Sequence, residues 1–122
     1  MFRLAVKSEF SAAHSLREYK GKCESLHGHN WKVEAVVVAG KLHNAGLVLD
    51  FHEIKKLLNE SLEELDHKHI NELKYFKKVN PTSENLAQYI FNKISSRLPK
   101  GICKLKELTV WESDNCSATY FK

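Results

Sequence analysis

The stretch His27-Gly28-His29-Asn30-Trp31-Lys32-Val33-Glu34-Ala35-Val36-Val37-Val38-Ala39 decides the fold. Trp31, Val33, Ala35, Val37 and Ala39 fall on every second position, and Lys32 and Glu34 separate the first of them. That is the period of a strand with one buried face. His27 and His29 share the parity of the apolar residues, so both imidazoles project to the same side. Upstream, Phe2, Leu4, Val6, Phe10, Ala12 and His14 also share one parity. They predict a first strand whose inward face ends on His14. Leu16 to Leu26 is polar, contains Gly21 and reads as a loop. The two strands become neighbours through that loop, but alternation alone does not set their register.

Downstream, Gly40 to Gly46 carries turn residues and Leu47-Val48-Leu49 is a short apolar run. Asp50 is a candidate N-cap. Phe51, Ile54, Leu57, Leu58, Leu62 and Leu65 recur at helical spacing and predict an amphipathic helix. Asn80-Pro81 breaks the chain. Thr82 or Ser83 caps a second helix, with Leu86, Tyr89, Ile90, Phe91 and Ile94 on its buried stripe. Pro99 and Gly101 end it. Leu105 to Glu112 and Ser117 to Phe121 read as third and fourth strands, with Asp114-Asn115 as the turn between them. The order β-β-α-α-β-β predicts a single α+β domain over residues 1–122. Its sheet is antiparallel and four-stranded, with both helices on one face. Such a sheet leaves two long edges, a hazard that joining edges between copies removes.

Composition fits this picture. The chain has 122 residues, 43% hydrophobic and 28% charged, the profile of one globular domain. No apolar run approaches the roughly 20 residues that span a bilayer. The opening residues are broken by Arg3 and Lys7, unlike a secretory segment. A cytoplasmic protein without membrane partners is expected. Cys23, Cys103 and Cys116 are odd in number and widely spaced, so no disulfide framework follows. Cys103 and Cys116 have no histidine nearby in sequence and read as structural. The formal charge of +4 is mild. Lys68, Lys74, Lys77 and Lys78 form either a solvated basic face or an attraction for a phosphate-bearing ligand. Aromatics are not interleaved as in nucleic-acid modules, so no nucleic-acid partner is expected.

The chemistry clusters in the histidines. His27 and His29 flank a glycine that lets the backbone bend, and His14 ends the neighbouring inward face. Three imidazoles with an open fourth position describe a catalytic zinc site. The alternative is a pair of exposed histidines at a strand start. Cys23 is a fourth ligand of a closed site, a thiolate beside an open one, or an inert loop cysteine. Asp66 beside His67 can fix an imidazole tautomer, and His69 competes for that role. Glu112 shares the parity of Leu108 and Val110. A buried carboxylate there needs a partner, which a ligand with paired N–H donors provides, unless the strand end is exposed.

Six segments in order resemble the 6-pyruvoyl-tetrahydropterin synthase / 6-carboxy-tetrahydropterin synthase family. They are Phe10-Ser11-Ala12-Ala13-His14, Cys23-Glu24-Ser25-Leu26-His27-Gly28-His29-Asn30, Leu49-Asp50-Phe51, Leu65-Asp66-His67, Asn80-Pro81-Thr82-Ser83-Glu84-Asn85 and Val110-Trp111-Glu112-Ser113. The resemblance implies the tunnelling fold, in which three copies close a barrel of strands. Two trimers then stack as a homohexamer with active sites between subunits. It implies Zn2+ on His14, His27 and His29, and Cys23 as catalytic base with Asp66 and His67 completing its relay. Glu112 becomes the anchor of a pterin ring, with Ser83 and Glu84 close to it.

The three-residue gap between Cys23 and His27 is similar to that of the 6-carboxy-tetrahydropterin synthases of queuosine biosynthesis. The implied enzyme is a lyase. It converts 7,8-dihydroneopterin triphosphate to 6-carboxy-5,6,7,8-tetrahydropterin, acetaldehyde and triphosphate. Glu24 implies an alternative, since some members use a loop glutamate to release 6-hydroxymethyl-7,8-dihydropterin for folate. A non-enzymatic, zinc-stapled binding module is a third reading, and an RNA-binding domain a fourth.

Overall fold

The alternation along the first two strands draws them together over their full length in the computed structural model, which describes residues 1–22 and 24–122. Strand β1 (Phe2–His14) pairs antiparallel with β2 (His27–Ala39), from Phe2↔Ala39 to His14↔His27. Phe10, Ala12, Trp31, Val33, Ala35 and Val37 face one side and are buried. The other side carries charge, with Lys7 opposite Glu34 and Glu9 opposite Lys32. Such opposite-charge cross-strand pairs support the register.

Helix α1 (Phe51–Leu62) starts where Asp50 accepts a hydrogen bond from the His52 amide. It turns Ile54, Leu58 and Leu62 onto the apolar face of the sheet. Leu65 follows in the closing turn and is fully buried. Helix α2 (Ser83–Ser95) is capped by Thr82, whose side chain accepts from the Asn85 amide. Its Leu86, Ile90 and Ile94 complete the same core. Strand β4 (Lys104–Ser113) pairs with β2, and β5 (Cys116–Phe121) pairs with β4. Of the two cysteines read as structural, Cys103 is buried but Cys116 is exposed. Among the described residues no helix is long and apolar enough to cross a membrane.

Among the described residues the sheet holds five strands rather than the expected four. The extra one, β3 (Lys68–His69), runs parallel to β1, giving the order β3-β1-β2-β4-β5. Its cause is local. The Asp66 carboxylate accepts from the Ser11 amide at 2.9 Å, and the His67 amide donates to the Ser11 carbonyl at 2.6 Å. Both contacts satisfy the free edge of β1 and lay the next two residues alongside it. Two residues are too few to show a period, so the sequence gives no sign of this strand. Beyond it the basic stretch forms one-turn 3-10 segments, Ile70–Glu72 and Tyr75–Lys77, held down by buried Ile70 and Phe76.

Leu58 is fully buried between α1 and the sheet. Leu58→Ala should therefore cost about 2–5 kcal/mol in urea unfolding. Lys56→Ala on the solvent side of the same helix should stay within about 0.5 kcal/mol. Equal effects would show that α1 does not pack as described.

Candidate functional site

The β1–β2 register places His14 directly opposite His27, with His29 two residues further along β2 and opposite Ala12. All three imidazoles stand on the inward face at the end of the sheet. Their ring centroids lie 4.7 Å (His14–His27), 5.3 Å (His14–His29) and 4.8 Å (His27–His29) apart. The indole of Trp31, fully buried, meets His14 and His29 edge-on and forms the floor of the cluster.

Two backbone carbonyls fix the protons. His14 Nδ1 lies 2.8 Å from the Pro81 carbonyl, and His27 Nδ1 lies 2.8 Å from the Ser25 carbonyl. A carbonyl only accepts, so each Nδ1 must carry the hydrogen. In the neutral rings both Nε2 atoms are then bare lone pairs, and they face each other at 3.1 Å. His29 Nε2 is buried with no hydrogen-bond partner among the described residues. Burial, the largest influence, holds His14 below the usual imidazole range. His27 and His29 push the same way, against the Pro81 carbonyl and Glu112. The ring is thus kept neutral, as a metal ligand must be. Converging lone pairs without a shared proton repel unless a cation sits among them, so this donor set fits a metal ion.

Glu112 completes the group. It lies where the β4–β5 register shifts between Trp111 and Ser113, and a bulge re-aims a side chain. Its Oε1 comes within 3.3 Å of His29 Nε2, and its Oε2 accepts from the Ser83 hydroxyl at 3.3 Å. One ligand atom from each of His14, His27, His29 and Glu112 lies within 4.8 Å of the others.

The segment from Asn80 to Asn85 holds this corner. The Asn80 side chain accepts from the Arg17 amide and donates to the Arg17 carbonyl, which fixes the chain leaving β1. Pro81 orients His14, Thr82 caps α2, Ser83 reaches Glu112, and Asn85 donates to the Asn80 carbonyl. Sequence reasoning offers Thr82 as a cap and, through the resemblance, Ser83 near Glu112, but it reads Asn80-Pro81 only as a breaker and misses the Asn80 ties to Arg17 and the Pro81 carbonyl that orients His14. A backbone carbonyl leaves no signal in residue type. Glu84 is exposed in the first turn of α2. Glu24 lies beside the cluster, with Oε1 3.7 Å from His27 Nδ1, and it accepts from the Leu16 amide at 3.3 Å. Cys23 lies outside the described residues.

Asp66 and His67 are not part of this group. They sit at the free edge of β1, bonded to Ser11, whose side chain has the outward parity opposite to His14. The Asp66 carboxylate is held below its usual range, first by the Ser11 amide and then by His67. Its Oδ2 lies 3.0 Å from His67 Nδ1. His67 is strongly exposed and has a left-handed backbone, φ 59°.

The sequence profile of the 6-pyruvoyl tetrahydropterin synthase family matches residues 3–122. The chain belongs to this family. The dihydroneopterin monophosphate aldolase of Pyrococcus furiosus is 38% identical over 112 residues, 92% of this chain and 90% of that one. The 6-carboxy-5,6,7,8-tetrahydropterin synthase of Rickettsia conorii is 30% identical over 134 residues, 95% of this chain and 97% of that one. The solved structure of 6-pyruvoyl tetrahydropterin synthase from Caenorhabditis elegans superposes with a TM-score of 0.84 at 27% identity. It covers 99% of this chain and 95% of that one. By their names these relatives are pterin-processing enzymes, and the fold of the family is the tunnelling fold expected from the sequence.

Backbone strain at His67 is directly testable. A left-handed non-glycine residue costs about 1–2 kcal/mol. His67→Gly should leave the unfolding midpoint unchanged or raise it. His67→Val, β-branched and worse in that region, should lower stability by roughly 1–2 kcal/mol. Equal stability of the two variants would mean that the left-handed turn is not held.

Proposed function

We propose that this chain is a cytoplasmic, zinc-dependent 6-carboxy-5,6,7,8-tetrahydropterin synthase. It converts 7,8-dihydroneopterin triphosphate and one water to 6-carboxytetrahydropterin, acetaldehyde and triphosphate, in the branch that supplies queuosine. The observation that carries the metal reading is the 3.1 Å approach of the His14 and His27 Nε2 atoms with both Nδ1 protons held by carbonyls. The three-residue gap from Cys23 to His27 and the name of the Rickettsia relative support the synthase branch.

His14, His27 and His29 would hold Zn2+, whose Lewis acidity makes neighbouring C–H and O–H protons easier to remove. Glu112 holds the paired N–H donors of the pterin by charge-assisted contacts, with the Ser83 hydroxyl steadying its second oxygen. Glu84, exposed one residue on, lies within the same helix start. Cys23 moves protons on one side of the bound side chain. His67 does so on the other, its Nδ1 hydrogen held by the Asp66 carboxylate and its Nε2 free for transfer.

That division matters, because His67 and the histidine cluster lie on opposite sides of β1. One copy therefore brings its His67 to the metal cluster of another. This agrees with a homohexamer built as a dimer of trimers with active sites at its subunit interfaces.

A second reading rests on Glu24. Its carboxylate lies beside His27, where it could serve as the proton carrier that releases 6-hydroxymethyl-7,8-dihydropterin. The aldolase name of the Pyrococcus relative favours it.

Product analysis of the zinc-loaded protein with 7,8-dihydroneopterin triphosphate separates the two. Acetaldehyde with 6-carboxytetrahydropterin is the expected result. A hydroxymethylpterin lost on Glu24→Ala would establish the second reading instead. Cys23→Ala should keep its zinc while turnover falls by roughly 100-fold or more. Loss of zinc together with the cysteine would mean a closed, structural site.

A further inference from the structure

The three residues that follow His14 make contacts that the reaction scheme does not yet use. Ser15, Leu16 and Arg17 lie beyond the end of β1, yet their backbone groups are all paired. The Ser15 amide donates to Asn71 Oδ1 at 2.9 Å, and the Ser15 carbonyl accepts from Asn71 Nδ2 at 2.7 Å. Arg17 makes the same double contact with the Asn80 side chain, at 2.9 and 3.1 Å. Leu16 pairs instead with Glu24, donating to its Oε1 and accepting from its amide at 2.8 Å. An asparagine amide both donates and accepts, so Asn71 and Asn80 serve Ser15 and Arg17 as a neighbouring strand would.

These bonds lead to the two carbonyls that orient the metal-cluster imidazoles. Asn80 precedes Pro81, whose carbonyl meets His14 Nδ1. Glu24 precedes Ser25, whose carbonyl meets His27 Nδ1. The half-buried Arg17 side chain adds a further grip on the first of them. One guanidinium nitrogen, Nη2, donates to the Phe76 carbonyl at 2.6 Å and to the Val79 carbonyl at 2.9 Å. Bonds from a permanently charged guanidinium are stronger than those between neutral groups. Val79 directly precedes Asn80. Arg17 therefore holds the segment from Phe76 to Asn80 twice, once by its backbone and once by its guanidinium.

We propose that Arg17 is a positioning residue of the metal cluster. It sets the Pro81 carbonyl against His14 and so decides which nitrogen of that ring is free to meet a metal. This rests on the metal reading above and names a residue outside the ligand set. Arg17 acts through the 76–81 segment and touches neither ligand ring. If that segment shifts, His14 Nδ1 loses its acceptor, and a hydrogen moved to Nε2 would block the lone pair aimed at the metal. Outer partners that orient a ligand in this way change metal affinity by about 10–100-fold. His27 is held separately, through Leu16 and Glu24, so the influence of Arg17 falls on His14.

Two readouts on the full-length chain test this. Nitrogen-15 NMR of the histidine-labelled, zinc-free protein reports the tautomers, and chelator competition on the zinc-loaded protein reports the affinity. The unaltered chain should carry the hydrogen on Nδ1 of both His14 and His27. Arg17→Met, unbranched and without donors, should bring the Nε2–H tautomer into the His14 signal, leave His27 unchanged and weaken zinc binding at least about tenfold. Arg17→Lys, which keeps donors at its tip, should recover most of both effects. Leu58→Ala, which opens a gap between α1 and the sheet, is the control for lost stability alone. It should keep both tautomers and hold zinc within about twofold of the unaltered chain. If Arg17→Met does not fold, Arg17→Gln, with a shorter reach and an amide donor, should show the same His14 shift in smaller measure. An unchanged His14 tautomer in the Arg17 variants, equal changes at His14 and His27, or an equal zinc loss in Leu58→Ala would overturn the proposal. An unaltered chain that binds no zinc would sink the metal reading, and the His14 tautomer in Arg17→Met would still decide the role of Arg17.

Discussion

Two imidazoles meet Nε2 to Nε2 because each gives its other hydrogen to a backbone carbonyl, His14 to Pro81 and His27 to Ser25. The rest of the site depends on that constraint. A neutral imidazole can donate only once, so the carbonyls decide which lone pairs converge. The β1–β2 register brings the two rings opposite each other, and Gly28 spaces His29 onto the same side. Trp31 closes the floor without offering an acceptor. The Asn80-to-Asn85 corner then serves both fold and site. It caps α2, ties down the chain after β1 and presents the carbonyl that orients His14.

The second organising feature is the two-sidedness of β1. Its inward residues belong to the core and the histidine cluster. Its free edge is satisfied by Asp66 and His67, and its outward face is shared with His69. The metal-ligating cluster and Glu112 thus lie on one side, and His67 with its Asp66 partner on the other. On the proposed function, in which His67 serves the metal site, a chain divided in this way would work in partnership with another copy. The charged outward face and the unpaired edges of the sheet are compatible with such an assembly.

Much of this was legible in the sequence. The parity of Phe2 to His14 and of His27 to Ala39 is a two-residue period sustained over long strands, so it placed three histidines inward. The spacing from Phe51 to Leu65 and the Thr82 cap gave both helices. What was not legible depends on geometry that residue type does not encode. β3 is too short for a period and exists because Ser11 at an open edge needs partners. Glu112 was read inward from its parity with Leu108 and Val110, but the bulge that aims it at His29 arises only when β4 meets β5. The separation of His67 from the metal cluster was likewise hidden, because Asp66-His67 follows a helix and its position depends on which edge of the sheet it reaches.

The central claim is that the three imidazole nitrogens converge to hold a metal. X-ray absorption at the zinc edge of the reconstituted protein tests it most directly. The account predicts one zinc per chain, three imidazole nitrogens at about 2.0–2.1 Å and remaining ligands that are oxygen only. The shell should collapse in His14→Ala. A sulfur shell at about 2.3 Å, or zinc that binds equally well without His14, would contradict it.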